Sequence, residues 1–184
     1  MEGASLKTIQ QIPEIPGAMW IEPEFFRDER GRFRRTFCPK LLNSAGIPFE
    51  VKQCNLSENL QAGTLRGFHF QRSEEVKLLT CVTGGVYDIL VDIRQGSATF
   101  GKWKAFRLSA ENGGTLLVPA GCANAWMTLK DSTSIHYWHS DIYRPELEAG
   151  IRYNDPGFGF EWPEDPVVIS EKDRSYPNYP MPDL

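Results

Sequence analysis

The amino-acid sequence predicts a mainly β protein, and three observations carry that prediction. Gly and Pro recur at short intervals, aromatic residues make up 12% of the chain, and the apolar runs between turn residues are short and partly alternating. A length of 184 residues fits one domain able to sustain a core without metal or disulfide staples, here expected over 1–184 with 153–184 as an irregular C-terminal wrap. The net charge of −4 gives a nucleic-acid partner no overall electrostatic support. No charged-then-apolar leader and no apolar run of spanning length is visible, so no membrane partner is expected and the cytoplasm is the expected compartment. Cys38, Cys54, Cys81 and Cys122 show no CxxC spacing and are expected to be reduced, packed thiols.

In chain order, 18–26 and 31–37 read as extended pieces around a charged turn, 38–45 as a short helix, and 51–56 as a strand. The segment 64–71, TLRGFHFQ, is apolar and β-prone. Residues 77–83, a Gly84-Gly85 turn and 86–94 read as a hairpin, with Val86, Asp88, Leu90 and Asp92 alternating against Tyr87, Ile89, Val91 and Ile93. Strands follow at 103–108, 115–118, 125–129 and 134–138, at spacings that suit a sandwich or small barrel. The Pro-, Asp- and aromatic-rich stretch from Tyr153 is expected to wrap the barrel, and its end, 176–184, to be loose.

His69 lies within the apolar segment. A lone histidine on an apolar face is as readily a hydrogen-bonded core residue as a catalyst, but Arg66 and Lys77 are near in sequence, and two cations beside an imidazole point to an anionic ligand. Arg66 and His69 have opposite strand parity, so both can face one cavity only if the backbone bulges near Gly67. Five arginines crowd 27–35, a pattern that a solvated charged strand explains as well as phosphate binding.

The turn Pro119, Ala120, Gly121, Cys122, Ala123, Asn124 has the form that delivers a histidine ligand in metal-binding double-stranded β-helix proteins, yet Asn124 stands at that place. His69 is followed two positions on by Gln71 rather than by a second histidine. One imidazole does not make a transition-metal site, so no metal is expected.

Taken in order, TLRGFHFQ, Lys77, VYDILVDIR followed by SATFGKW, the PAGCAN turn, Tyr137 and Tyr143, YNDPGFGFEWP and SEKD at 170–173 closely resemble the dTDP-4-dehydrorhamnose 3,5-epimerase family. The resemblance implies a cupin-type jelly roll, a double-stranded β-helix with a few short helices. It further implies a cofactor-free and metal-free epimerase, a homodimer, and a nucleotide-diphospho-4-keto sugar as substrate.

The implied roles make chemical sense. Inverting a carbon next to a ketone needs a base and an acid on opposite ring faces, which the resemblance assigns to His69 and Tyr137. It gives Asp173 the task of holding the imidazole, with Lys172 beside it, and Lys77 that of stabilising the enolate. Arg30 and Arg66 match arginines that contact the nucleotide-sugar, suited to diphosphate by their guanidinium forks. Gln53 and Asn55, two apart on one strand, match neutral hydrogen-bonding positions. Tyr143 matches a tyrosine that stacks on the base, and Glu148 a further contact.

Three positions depart from the pattern. Asn124 replaces the family's usual histidine, Arg35 replaces a glutamate, and His139 replaces a small hydroxyl residue. On a regular strand His139 shares a face with Tyr137, and it is expected either to replace the imidazole missing at 124 in part or to lie exposed beyond a strand end. The nucleotide, the sugar, and inversion at C3, C5 or both stay open. A 3,4-ketoisomerase and a binding-only cupin are the alternatives. The first is opposed by the missing histidine pair, the second by the presence of His69, Tyr137, Lys77 and Asp173 together.

Overall fold

The computed structural model describes residues 6–180. Its strands are β1 (Leu6–Gln11), β2 (Met19–Pro23), β3 (Phe25–Asp28), β4 (Gly31–Arg34), β5 (Gln53–Asn59), β6 (Thr64–Gln71), β7 (Lys77–Thr83), β8 (Gly85–Asp92), β9 (Trp103–Ser109), β10 (Thr115–Val118), β11 (Cys122–Thr128), β12 (Thr133–His139), β13 (Glu148–Gly150) and β14 (Val168–Ile169). Two short helices join them, α1 (Pro39–Ser44) and α2 (Glu171–Ser175), with a 3-10 turn at Pro145–Leu147. The first sheet has the order β1-β2-β10-β7-β12-β5 and the second β13-β6-β11-β8-β9, with β14 added parallel to β6.

These two sheets face each other as a jelly roll. Leu79, Leu116 and Ile135 of the first meet Val86, Leu90 and Trp126 of the second in one buried cluster. Each sheet is also covered on its outer side. Phe68, Ile89, Val91, Ala123 and Ala125 pack under Phe158, Phe160, Trp162 and Tyr179 of the C-terminal segment. On the opposite side Leu78, Leu117 and Trp138 pack against Leu42, Ile47 and Phe49.

The expected hairpin of 77–94 is corrected. Both strands exist, but β7 pairs with β10 and β12 while β8 pairs with β9 and β11, so the chain crosses between sheets at Gly84. That residue has φ +68, and a Cβ on it would come within 2.1 Å of Thr133 Oγ1, so close approach rather than a hairpin turn explains the glycine. The cysteine expectation holds for buried Cys81 and Cys122, whose thiols burial pushes up to about 11 and about 12. It fails for Cys54, exposed on the edge strand β5, and Cys38 is half-buried. β1 was not anticipated from the pattern. Expected looseness from 176 onward is also corrected in part: Tyr176 packs on Gly150, and the Tyr179 backbone N–H donates to Asp155 Oδ2 at 2.6 Å. Residues 181–184 lie outside the described residues.

Candidate active site

A bulge in β6 assembles the site. His69 pairs with Asn124 and Arg66 with Trp126 on β11, so three steps along β6 answer two along β11. Cross-strand partners share a face, and the extra residue therefore places Arg66 and His69 on the same inward side despite their parity. Gly67 makes this possible. Its φ is +108, and a Cβ there would lie 2.7 Å from the Asn124 carbonyl oxygen. Phe68 turns outward and is fully buried in the outer cluster.

His69 Nε2 stands 2.7 Å from Asp173 Oδ1, and the Gly67 N–H donates to Asp173 Oδ2 at 3.2 Å. Asp173 lies in the first turn of α2, whose N-cap Ser170 accepts from the Asp173 backbone N–H at 3.0 Å. Burial works to raise this carboxyl, but His69, Gly67 and Ser170 hold it below its ordinary value. The carboxylate draws the ring N–H to Nε2 and leaves Nδ1 as the nitrogen free to take a proton.

Lys77, at the start of β7, is buried rather than a surface lysine. Its Nζ donates to Asn124 Oδ1 at 2.7 Å and to the His69 carbonyl at 3.1 Å, which leaves one of its three donors for a ligand. Asn124 Nδ2 in turn donates to Asp88 Oδ2 at 3.1 Å. Burial lowers the lysine's pKa, against the pull of Glu75 and Asp88, and pushes the Asp88 carboxyl up to about 7 against Asn124 and Lys77. Tyr137 comes from β12 on the opposite sheet. Its hydroxyl makes no hydrogen bond among the described residues, and burial raises its pKa, opposed by Arg66.

His69, Lys77, Asn124 and Tyr137 line one cavity of about 390 Å³ between the sheets. That volume suits a small-molecule ligand. Gln53, Asn55, His139, Tyr143 and Glu148 complete much of its wall. Arg66, Lys172 and Asp173 line an adjoining cavity of about 340 Å³, and His69 borders both.

A family model described as dTDP-4-dehydrorhamnose 3,5-epimerase matches residues 13–180. The chain belongs to this family. It is 39% identical over 166 residues to the dTDP-4-dehydrorhamnose 3,5-epimerase of Methanothermobacter thermautotrophicus, covering 88% of this chain and 89% of that one. The solved Bacillus anthracis dTDP-4-dehydrorhamnose 3,5-epimerase, with TDP and PPi bound, is similar at TM-score 0.90 and 34% identity, over 94% of this chain and 99% of that one. A Legionella pneumophila dTDP-6-deoxy-D-glucose-3,5-epimerase in complex with dTDP-4-keto-L-rhamnose is similar at TM-score 0.86 and 34% identity, over 95% and 99%.

Within this epimerase-family fold, one expected residue does not join the others. Arg30 sits in the turn of the separate two-stranded ribbon β3–β4, 83% exposed and paired with Asp28, and lines neither cavity. Its neighbours have structural tasks: Arg32 donates to the Ala110 and Glu111 carbonyls, and Arg34 to that of Cys81. Lys172 reaches Glu148 Oε2 at 2.6 Å, which also accepts from the Tyr143 hydroxyl at 2.6 Å. The Glu148 bond raises the Tyr143 and Lys172 pKa values. Of the two placements expected for His139, the cavity wall is the observed one, with Glu75 Oε1 2.8 Å from Nδ1. Sequence reasoning missed Glu75, Asp88 and Trp126. An acid inside the apolar run VYDILVD was a usable signal for Asp88, whereas Glu75 sits in a charged turn like any other.

Proposed function

We propose that this chain is an epimerase that inverts C3, C5 or both in a dTDP-4-keto-6-deoxy sugar. The observation that carries the reading is one cavity lined by His69 from one sheet and by Tyr137 and Lys77 from the sheet facing it. His69 takes the proton from the carbon beside the ketone on Nδ1, and Asp173 stabilises the imidazolium. Negative charge then develops on the former ketone oxygen, which the remaining N–H of buried Lys77 stabilises. Tyr137 stays protonated at neutral pH and returns a proton to the opposite face.

Gln53, Asn55 and Asn124 bind the sugar, with His139 behind Asn55, Arg66 and Lys172 face the diphosphate, and Tyr143 with Glu148 lies toward the base. Family membership supports the epimerase over the ketoisomerase reading. The exposed ribbon of Arg30 reaches substrate only across a homodimer, and we assign the protein to that assembly and to the cytoplasm. Incubation with dTDP-4-keto-6-deoxyglucose in heavy water, followed by NMR, tests the proposal. Deuterium enters C3, C5 or both, and His69→Ala slows its entry by roughly 10² to 10⁴ while dTDP still binds. A wild-type protein that exchanges neither carbon overturns the reading.

A further inference from the structure

A second histidine-carboxylate pair lines the same cavity. His139 Nδ1 lies 2.8 Å from Glu75 Oε1 and Nε2 lies 3.1 Å from Asn55 Nδ2, with the His139 and Glu75 side chains only 11% and 7% exposed. Gln53 Nε2 donates to Asn55 Oδ1 at 3.3 Å, and the Tyr143 backbone N–H donates to Gln53 Oε1 at 2.8 Å. This chain of bonds has a direction. A backbone N–H can only donate, so Gln53 must present its oxygen there and its nitrogen to Asn55, and Asn55 must present its nitrogen to His139.

The other end is equally one-way. A carboxylate only accepts, so the ring hydrogen belongs on Nδ1, and Nε2 accepts from Asn55. Glu75 is itself held by Gln71 Nε2 at 3.0 Å, and Gln71 Oε1 accepts from the Arg144 backbone N–H at 2.7 Å. Both ends are thus tied to the backbone of the segment after β12. Had either amide turned over, a donor would face a donor or an acceptor an acceptor, at the cost of a buried unmade bond. Gln53 and Asn55 each keep one N–H uncommitted along the cavity wall.

We propose that His139, held by Glu75, is a positioning residue that fixes the Asn55 and Gln53 amides so that this wall offers hydrogen-bond donors to an oxygen-rich ligand. It acts through Asn55 and exchanges no proton with the ligand. The inference rests on the epimerase reading for the identity of that ligand, a sugar nucleotide whose hydroxyl and keto oxygens accept these bonds. It makes His139 a determinant of affinity, separate from the His69 and Tyr137 pair that handles protons.

The test combines binding of the unreactive dTDP-glucose with turnover of dTDP-4-keto-6-deoxyglucose. His139→Leu weakens binding and raises KM about five- to tenfold, with kcat held within about threefold. Asn55→Ala has a similar effect, and the double variant is no more than about twofold worse than the weaker single one, because both remove the same bond. His139→Gln, able to accept from Asn55 and donate to Glu75, restores most of the affinity. Nitrogen-15 NMR of the wild-type protein finds His139 protonated at Nδ1 and bare at Nε2, a readout that stands even if a variant fails to fold. Additive losses, a fall in kcat at constant KM, unchanged binding in His139→Leu, or the opposite tautomer each overturns the proposal. A protein that binds dTDP-glucose but turns nothing over refutes the epimerase reading alone, since the binding cycle and the tautomer still decide the role of His139. Absence of any dTDP-glucose binding refutes both.

Discussion

Gly67 decides which side of the protein receives the imidazole. With φ +108 and a would-be Cβ 2.7 Å from the Asn124 carbonyl and 2.8 Å from Ala125 Cβ, it lets β6 bulge against β11 at the one place where Arg66 and His69 must share a face. Gly67→Ala is expected to cost about 2–4 kcal/mol in urea unfolding and to lower exchange activity in the fraction that folds, because His69 moves relative to Asp173. Gly159→Ala has a positive φ, +61, but nothing within 4 Å, and should cost only about 1 kcal/mol. Equal losses in the two variants would remove the close-approach argument. Parity made this bulge legible as a condition, since two residues three apart cannot share a face of a regular strand unless the backbone bulges between them. The partnership of His139 with Glu75 was not, because a charged turn carries no periodicity to show which way its side chains point.

At the scale of elements, the short helix α2 presents one buried carboxylate, Asp173, to His69. Five residues do not make a stable helix alone, so its start depends on the cap that Ser170 gives the Asp173 N–H and on burial of Asp173 itself. Ser170→Ala should cost about 1 kcal/mol and reduce kcat more than KM, since His69 loses part of its orientation. Unchanged kcat in a variant of measurably lower stability would separate the cap from the site. The sequence showed most strands to within a few residues because turn residues bound them, and Thr115–Val118 coincides with its expected range. It misled at β7 and β8. Two apolar runs joined by Gly-Gly read as neighbours, yet a sheet buried on both faces also needs such runs, and the glycines serve a corner between sheets. The alternation of Val86, Asp88, Leu90 and Asp92 was real but separated two buried faces rather than core from solvent.

For the molecule as a whole, that two-sided burial shifts the ionisable groups it encloses, Lys77 and Asp88. Asp88 is fully buried, with its carboxyl pushed up to about 7, while an aspartate in an unfolded chain titrates near about 3.9. Between those values the unfolded chain has released a proton that the folded one retains, so the Asp88 contribution to stability declines as pH rises from about 4 to about 7. Asp173 runs the other way. Its folded pKa is depressed, so its contribution is complete above the unfolded value and is lost as pH falls through the folded one. Asp88→Asn can still accept from Asn124 but does not titrate, and it should flatten the decline between about pH 4 and about pH 7 by up to about 4 kcal/mol, while the loss at lower pH remains. Thermal unfolding of both proteins across that range measures the difference, and parallel profiles would mean that Asp88 does not titrate there. An acid this costly is retained in a connected arrangement: Asn124 spans it to Lys77, and removing either charge leaves the other less compensated, in the place where the proposed mechanism puts the enolate. Asp88→Asn should therefore gain stability near pH 8 and lose kcat together, because the field that favours the protonated lysine weakens as the barrel core relaxes.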